Sequence, residues 1–223
     1  MPFRILVADD HEVVRRGLCA LLQAQPDWEI CGEAGDGREA LEKAQKLRPD
    51  AVILDIGMPS LNGLEATRQI LKNNPQTRIL ILTLHDSDQV VREVLNAGAR
   101  GFLLKSDAAR DLVAAVEALR RDKTYFTSKV AAMVLEGFLK QGTPATVAAP
   151  PTRGRLTPRE REIVQLLAEG KSTKEVAVAL GLSVKTAETH RSNIMRKLEL
   201  HSVSDLVLYA VRNNIVHVVQ PSL

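Results

Sequence analysis

Five polar residues lie where apolar runs of the chain end. Asp9 and Asp10 follow "FRILVA", Asp55 follows "AVIL", Thr83 closes "RILIL" and Lys105 follows "GFLL". Apolar runs of this kind are typical of strands buried on both faces of a parallel sheet. Three carboxylates brought together repel one another, so the cluster needs a compensating cation. Mg²⁺ suits such a site because it prefers oxygen ligands and accepts a phosphoryl oxygen.

The chemistry that this set can perform is phosphoryl transfer. A carboxylate beside Mg²⁺ and a lysine ammonium can attack phosphorus and become an aspartyl-phosphate. Asp55 is the candidate nucleophile because it stands on the central strand and is followed by backbone that can reach the metal. Taken singly, each residue also has an ordinary role: Asp10 can cap a helix, Thr83 can be a strand residue, and Lys105 can be a solvated strand end. The combination favours the phosphoryl-transfer interpretation.

The elements that must position these residues follow one another regularly over residues 1–122. Strand-like runs occur at "FRILVAD", "WEICGEAG", "DAVILDIG", "TRILILTL" and "GFLLK". Between and after them lie five helical patterns with apolar residues three or four apart. This alternation predicts an α/β doubly wound, five-stranded parallel sheet. With the flavodoxin-like strand order 2-1-3-4-5, strands one and three are neighbours at the point where ligands bind.

The rest of the chain predicts a linker and a helical domain. Residues 123–152 contain a short helical pattern, "SKVAAMVLEGFLK", and most of the Pro- and Ala-rich stretch "QGTPATVAAPPTRGR". The latter lacks periodic apolar residues, and its proline pair indicates an extended linker. Residues 153–218 contain four helical patterns, with Gly170 and Gly181 at helix ends. We therefore expect two domains, the second one all-α.

Composition narrows the function classes. Residues 1–139 hold 18 Lys+Arg and 20 Asp+Glu (net −2), whereas residues 153–223 hold 11 and 7 (net +4). A basic second domain favours an anionic partner. No apolar run approaches the ~20 residues of a membrane span. Cys19, Cys31 and the scattered histidines fit no metal spacing, and the chain reads as cytoplasmic, with no membrane partner.

Residues 1–122 resemble the receiver domain of two-component response regulators. The resemblance is carried by "DD" at 9–10, "DIGMPSLNG" at 55–63, "TLHDSD" at 83–88 and "GFLLKS" at 101–106. It implies that a sensor histidine kinase phosphorylates Asp55. The residues that it implies as Mg²⁺ ligands are Asp9, Asp10, Asp55 and the carbonyl of Gly57.

The same resemblance implies a switch. Thr83 and Lys105 bind the phosphoryl oxygens, Thr83 moves toward them, and the aromatic Phe102 turns inward. The chain departs from the family at Leu84, where a small residue is usual. We expect slow attack by water on the phosphorylated form as a result.

The second domain contains a predicted helix-turn-helix, "STKEVAVALGLSVKTAETHRSNIMRKL". Its first helix, Thr173–Leu180, presents Val176, Ala177 and Leu180 inward, Gly181 permits the turn, and Ser183 caps the next helix. That second helix, 184–198, keeps Ala187, Ile194 and Leu198 for the core. The alternative to DNA binding is an ordinary solvated face on a small helical bundle. Net charge alone would favour that alternative.

A helix of this size with mixed polar side chains fits the DNA major groove. Candidates for phosphate contacts are Lys171, Lys174, Lys185, Arg191 and Lys197, and candidates for base edges are Glu188, Thr189, Ser192 and Asn193. Thr173 and Thr186 complete the predicted DNA-binding set.

This segment, with the preceding "LTPREREIVQLLAEGK", resembles the LuxR-type helix-turn-helix, and the whole chain resembles NarL/FixJ-family response regulators. The departures at Ser172–Thr173, where Asn is usual, and Ala187, where Val is usual, are mild. The resemblance implies double-stranded DNA as a partner, transcription regulation, and RNA polymerase as a further partner. It also implies a homodimer on activation, with Val203, Val207 and Val211 in the dimer contact.

Two other function classes compete with this reading. Phosphatases that form an aspartyl-phosphate carry a general acid two residues after the nucleophile, where this chain has Gly57, which cannot move a proton. We therefore expect no turnover enzyme. An atypical regulator with an unused pocket is the other alternative, and the complete set of five polar residues argues against it.

Overall fold

The computed structural model describes residues 1–84, 87–126 and 156–216. The chain divides into two compact units, Met1–Pro144 and Ala145–Leu223. The predicted linker helix at 128–140 and the Pro- and Ala-rich stretch after it lie outside the described residues. The domain boundaries at 122 and 153 therefore stay predictions.

The first unit is built on a five-stranded parallel sheet with the order β2-β1-β3-β4-β5. The sequence prediction of a doubly wound sheet in this order is confirmed. The strands are β1 (Phe3–Ala8), β2 (Trp28–Ala34), β3 (Ala51–Asp55), β4 (Arg78–Thr83) and β5 (Gly101–Leu104). Every residue of β3 is buried, as its uninterrupted apolar run predicted.

Helices cover both faces of this sheet. They are α1 (Glu12–Gln23), α2 (Gly37–Leu47), α3 (Gly63–Asn73), α4 (Asp88–Ala97) and α5 (Ala108–Arg120). Strand side chains alternate between two apolar clusters, with Leu6 and Val52 packing toward α2, α3 and α4, and Ile5 and Ile53 toward α1 and α5. Each fully buried aliphatic side chain stabilises the fold by about 1.5–3 kcal/mol. The sheet is therefore a rigid base for its carboxyl edge.

The second unit is a bundle of four helices in the described residues 156–216. They are α6 (Pro158–Ala168), α7 (Thr173–Ala179), α8 (Val184–Lys197) and α9 (Val203–Arg212). Ser183 caps α8 by accepting a hydrogen bond from Thr186 N, and Gly181 in the preceding turn has a φ of +63°. That φ favours glycine, so the turn of the helix-turn-helix depends on it. No helix in the described parts of the chain is long and apolar enough to cross a membrane.

Candidate functional site

Strand register brings the predicted polar residues of the first unit to one edge of the sheet. Ala8 pairs with Leu54, so the residues that follow them, Asp9 and Asp55, are neighbours. Thr83 pairs with Leu104, so Lys105 comes directly after the β4–β5 pair. The sequence suggested that Lys105 is part of the fifth strand. In the structure, Lys105 instead begins a 3₁₀ turn, Lys105–Asp107.

Lys105 bridges two buried carboxylates in this pocket. Its Nζ lies 2.8 Å from Asp9 Oδ2 and 2.9 Å from Asp55 Oδ2. Asp9 is fully buried and Asp55 is 5 % exposed. Removing these charges from water is costly, and the ammonium group offsets that cost for both carboxylates.

The pKa values of Asp55 and Lys105 reflect the balance between the cost of burial and the attraction of opposite charges. Burial raises the pKa of the Asp55 carboxyl, against the lowering effect of the Lys105 ammonium. Burial by itself lowers the pKa of Lys105, but the Asp55 and Asp9 carboxylates outweigh it and the pKa is raised. Lys105 is therefore cationic at neutral pH and supplies a fixed positive charge beside the carboxylates.

The pocket fits a divalent cation. One possible ligand atom from each of Asp9, Asp10, His11 and Asp55 lies within 4.8 Å of the others. Asp9 Oδ2 is buried and, apart from its ion pair with Lys105, accepts no hydrogen bond of good geometry among the described residues. Three carboxylates and one ammonium leave a formal charge of −2, which Mg²⁺ would neutralise. Gly57, the fourth predicted ligand, lies in the exposed turn after β3.

His11 is the residue of this cluster that the sequence reasoning missed. Its Nδ1 lies 2.8 Å from Asp10 Oδ1, and its backbone N–H donates to Asp9 Oδ1 at 2.9 Å. His11 also occupies the N-cap position of α1, without a side-chain cap, so Asp10 does not cap this helix. The signal in the sequence that could have identified His11 is its position directly after Asp10.

Close backbone packing holds the loop that carries Asp55. Gly63 N donates to Ile56 O at 3.0 Å, and Asn62 caps α3 by accepting from Glu65 N. A Cβ built on Gly63 would lie 2.1 Å from the carbonyl oxygen of Asp55. Only glycine fits at this position, because any side chain would displace the backbone of Asp55.

The predicted switch residues lie on β4 and β5. Thr83 and Phe102 are almost fully buried, at 2 % and 1 % exposed. The Phe102 ring therefore lies inside the first unit in this structure. Leu84, next to Thr83, is 70 % exposed, which is unusual for a large apolar side chain.

The predicted DNA-binding residues of the second unit fall into two groups. The exposed ones are Lys174, Lys185, Thr186, Glu188, Thr189, Ser192 and Asn193, and the partly buried ones are Lys171, Thr173, Arg191 and Lys197. In the second group, Arg191 Nη1 donates to Thr173 Oγ1 at 3.2 Å, joining α8 to α7. The exposed group therefore offers the side chains that are most accessible to a ligand.

The helix α9 presents apolar side chains to solvent. Val203 is 49 % exposed, and Val207 and Val211 are partly exposed, while Leu206 and Ala210 pack into the core. Leu208, which the sequence reasoning did not single out, is 53 % exposed. Leu208 lies outside the four-residue spacing of Val203, Val207 and Val211, so that spacing did not indicate it.

Family profiles match both units. Residues 5–117 match the "Response regulator receiver domain", and residues 154–210 match "Bacterial regulatory proteins, luxR family". The chain is 40 % identical over 214 residues to "Transcriptional regulatory protein LiaR" of Bacillus subtilis, covering 96 % of this chain and 99 % of that one.

The chain is a response regulator.

Other relatives agree with this assignment. The response regulator is 40 % identical over 215 residues to "Oxygen regulatory protein NreC" of Staphylococcus carnosus, covering 96 % of this chain and 99 % of that one. Among solved structures, it resembles RcsB from Salmonella enterica serovar Typhimurium bound to promoter P1flhDC in the presence of the phosphomimetic BeF₃⁻. That similarity has a TM-score of 0.58 and 25 % identity, and covers 97 % of this chain and 100 % of that one. The response regulator therefore combines a receiver domain with a LuxR-type DNA-binding domain.

Proposed function

We propose that this response regulator is a transcription factor controlled by phosphorylation of Asp55 by a sensor histidine kinase. The observation that carries the proposal is the position of Lys105 Nζ, 2.9 Å from Asp55 Oδ2 and 2.8 Å from Asp9 Oδ2 in a buried pocket. A buried nucleophilic carboxylate beside a fixed cation is the arrangement that phosphoryl transfer requires.

In the proposed step, a carboxylate oxygen of Asp55 attacks the phosphorus of a phosphohistidine on the kinase. The new P–O bond forms as the P–N bond breaks, and its electron pair returns to the imidazole nitrogen. Lys105 and Thr83 hold the phosphoryl oxygens after transfer. The carboxylates of Asp9, Asp10 and Asp55 and the carbonyl of Gly57 would hold Mg²⁺, which would supply charge neutralisation when bound.

Phosphorylation acts as a population shift. Thr83 and Phe102 belong to neighbouring strands, and the register pairs Ile81 with Phe102 and Thr83 with Leu104. A phosphoryl group that attracts Thr83 therefore changes the strand pair that holds Phe102. The phosphorylated state favours a homodimer that binds two DNA half-sites, with Val203, Val207 and Val211 in the contact.

The DNA-binding domain supplies the output. The exposed lysines Lys174 and Lys185 contact phosphates, as do the partly buried Lys171, Arg191 and Lys197. The set that reads base edges is Glu188, Thr189, Ser192 and Asn193, and Thr173 and Thr186 complete the DNA-binding set. The relative RcsB was solved bound to a promoter, which supports this assignment. We expect the DNA-bound protein to control transcription by RNA polymerase in the cytoplasm. We expect it not to turn over a substrate.

Phosphorylation is tested by mass spectrometry after exposure to acetyl phosphate and Mg²⁺. We expect an adduct of one phosphoryl group on Asp55 in the unaltered chain and in Asp111→Asn, a control on α5 whose partly buried carboxylate pairs with Arg110. Asp55→Asn should carry none. An adduct elsewhere, or no adduct, contradicts the proposal.

Control of DNA binding is tested by titrating promoter DNA with and without the adduct. Higher affinity of the phosphorylated chain is expected, together with a dimer on DNA by sedimentation. Val207→Asp should keep the adduct and lose the dimer. Equal affinity in both states contradicts phosphorylation control, although it leaves DNA binding intact.

A further inference from the structure

The exposed face of α8 carries polar side chains that a ligand can reach. Ala187 and Ile194 are buried in the domain core, whereas Glu188, Thr189 and Ser192 are exposed. With about 3.6 residues per turn, these three side chains lie on the face of the helix opposite the buried pair. The hydrogen-bonding capacity of this face therefore decides which base edges α8 can read.

Glu188 and Thr189 both present hydrogen-bond acceptors. The Glu188 carboxylate is 55 % exposed, and Lys185 Nζ lies 3.9 Å from it, which is too far for a hydrogen bond. A threonine hydroxyl has one proton to donate, and Thr189 Oγ1 donates it to the Lys185 carbonyl at 2.9 Å, one helical turn back. Only the lone pairs of that oxygen remain for a ligand. Glu188 and Thr189, termed the acceptor pair here, therefore need donors on the DNA.

Asn193, on the next turn of α8, has the opposite polarity. Its side-chain oxygen accepts a hydrogen bond from Arg196 Nη2 at 2.9 Å, so the amide N–H groups are the part that remains for a ligand. Asn193 is thus suited to acceptors on the base edges, whereas the acceptor pair is suited to donors. The polarity of the exposed face therefore changes along the helix, which is what reading a sequence requires.

Donors in the major groove are the amino groups of cytosine and adenine. The adenine amino group lies between two acceptors, N7 of the same base and O4 of the paired thymine, and both repel a carboxylate. The cytosine amino group has one such neighbour, O6 of the paired guanine. A carboxylate on the exposed face of α8 therefore favours cytosine over adenine.

We propose that the acceptor pair selects base pairs by their amino groups, with Glu188 accepting a hydrogen bond from N4 of a cytosine. This inference rests on the proposed function, because it needs α8 to bind in the major groove. The negative charge of Glu188 is repelled by phosphates and by base acceptors, so the contact is unfavourable wherever no amino group faces it. Glu188 therefore adds specificity by penalising other bases, and Thr189 accepts from a second amino group of the site.

The test is the selection of bound sequences from a randomised DNA pool by the full chain, with and without acetyl phosphate and Mg²⁺. We expect one position of the enriched site to require cytosine. Glu188→Gln should change that position to adenine, because a glutamine amide pairs with both N6 and N7 of adenine. Glu42→Gln, which removes the same charge from an exposed position of α2, should leave the enriched site unchanged.

A second measurement removes the amino group from the DNA. The required cytosine is replaced by the pyrimidinone analogue that lacks only the amino group, and affinity is measured by titration. The unaltered chain should lose roughly tenfold or more in affinity, and Glu188→Ala should bind both DNAs equally. Thr189→Val, which removes the accepting oxygen, should relax a second position of the site and keep the required cytosine.

The outcomes separate this inference from the proposed function. An enriched site without a required cytosine, or a cytosine that Glu188→Gln leaves in place, overturns the inference alone. Failure to enrich any sequence, with or without acetyl phosphate, overturns sequence-specific DNA binding and the inference together. Equal enrichment in both conditions contradicts phosphorylation control alone. Since the unaltered chain is measured on the analogue, unchanged affinity overturns the inference even if the Glu188 variants do not fold.

Discussion

Lys197 Nζ lies 2.7 Å from Glu160 Oε2, and the pair joins the last residue of α8 to the first turn of α6. The same carboxylate oxygen accepts the backbone N–H of Thr157 at 2.7 Å, which completes a capping box. Lys197 was predicted to contact DNA phosphates. In this structure it fixes the C-terminal end of α8 against α6.

This pair predicts a pH-dependent stability of the DNA-binding domain. Burial raises the pKa of Glu160, but its hydrogen bonds with Lys197 and Thr157 outweigh burial, and the pKa is lowered from 4.5. Because the folded pKa is depressed, the stabilisation is complete above the unfolded value and is lost as the pH falls through the folded value. Glu160→Gln should therefore cost about 1 kcal/mol at pH 7 and progressively less in acid.

Protection of α6 and α8 amides from hydrogen exchange, measured at neutral and acid pH, tests this expectation. Glu188→Gln is the control, since the Glu188 carboxylate is exposed and its nearest cation, Lys185, is 3.9 Å away. A Glu160→Gln loss that does not change with pH would contradict the role of the charge.

Lys105→Met should make receiver stability depend on Mg²⁺. Removing the ammonium leaves Asp9 and Asp55 buried without their cation, which costs about 3–5 kcal/mol. Mg²⁺ should recover part of this loss, so the midpoint of thermal unfolding should rise more with Mg²⁺ in the variant than in the unaltered chain.

The matched control is Lys46→Met, an exposed lysine in the last turn of α2. It should show neither the loss nor the added Mg²⁺ response. Acetyl-phosphate labelling of Lys105→Met should also slow at least about tenfold, because a cation that stabilises the transferring group is absent. Equal Mg²⁺ responses in both variants would show that Lys105 does not balance this pocket.

Leu84→Ala should shorten the lifetime of the phosphorylated form. Leu84 directly follows Thr83 and is 70 % exposed, so its side chain is available to shield the phosphoryl group from water. We expect the smaller side chain to speed hydrolysis roughly three- to tenfold. The decay of the Asp55 adduct is followed by mass spectrometry, with Leu208→Ala in the other domain as control. An unchanged decay rate would exclude shielding by Leu84.

Two substitutions on the DNA-binding helices should have different signatures. Lys174→Ala should weaken binding to all sequences alike and reduce the slope of log K against log salt by about 1. Ser192→Ala should relax preference at one base pair, at a cost of about 1–3 kcal/mol for the preferred base. Salt titrations and binding to a randomised DNA pool measure both effects. If only Ser192→Ala changes the salt slope, then Ser192 rather than Lys174 contacts the phosphates, and the proposed assignment is wrong.

The fold was predictable because its signals are local. The apolar run before Asp55 gave a buried strand, and the alternation of strands and helices gave the doubly wound sheet. Ser183 and Gly181 marked the turn of the helix-turn-helix. Three capping boxes, begun by Thr157, Ser172 and Ser202, were also present in the sequence as Ser or Thr followed three residues later by Glu or Asp.

Contacts between distant residues were not predictable in the same way. The pocket residues could be assigned to one sheet edge, but the bridging position of Lys105 depends on strand register and on the 3₁₀ turn after β5. The Lys197–Glu160 pair spans 37 residues, and neither partner carries a local signal for it. Tyr125 pairs with Gly101 through backbone atoms, and residue types do not reveal such pairing.

Gly63 sets a limit on how this protein can vary. The space beside the Asp55 carbonyl excludes even one methyl group, although Gly63 itself has no reactive atom. An inherited change at that codon could therefore silence signalling while leaving every charged group in place. A survey of sequence variants that considered only chemically active positions would overlook it.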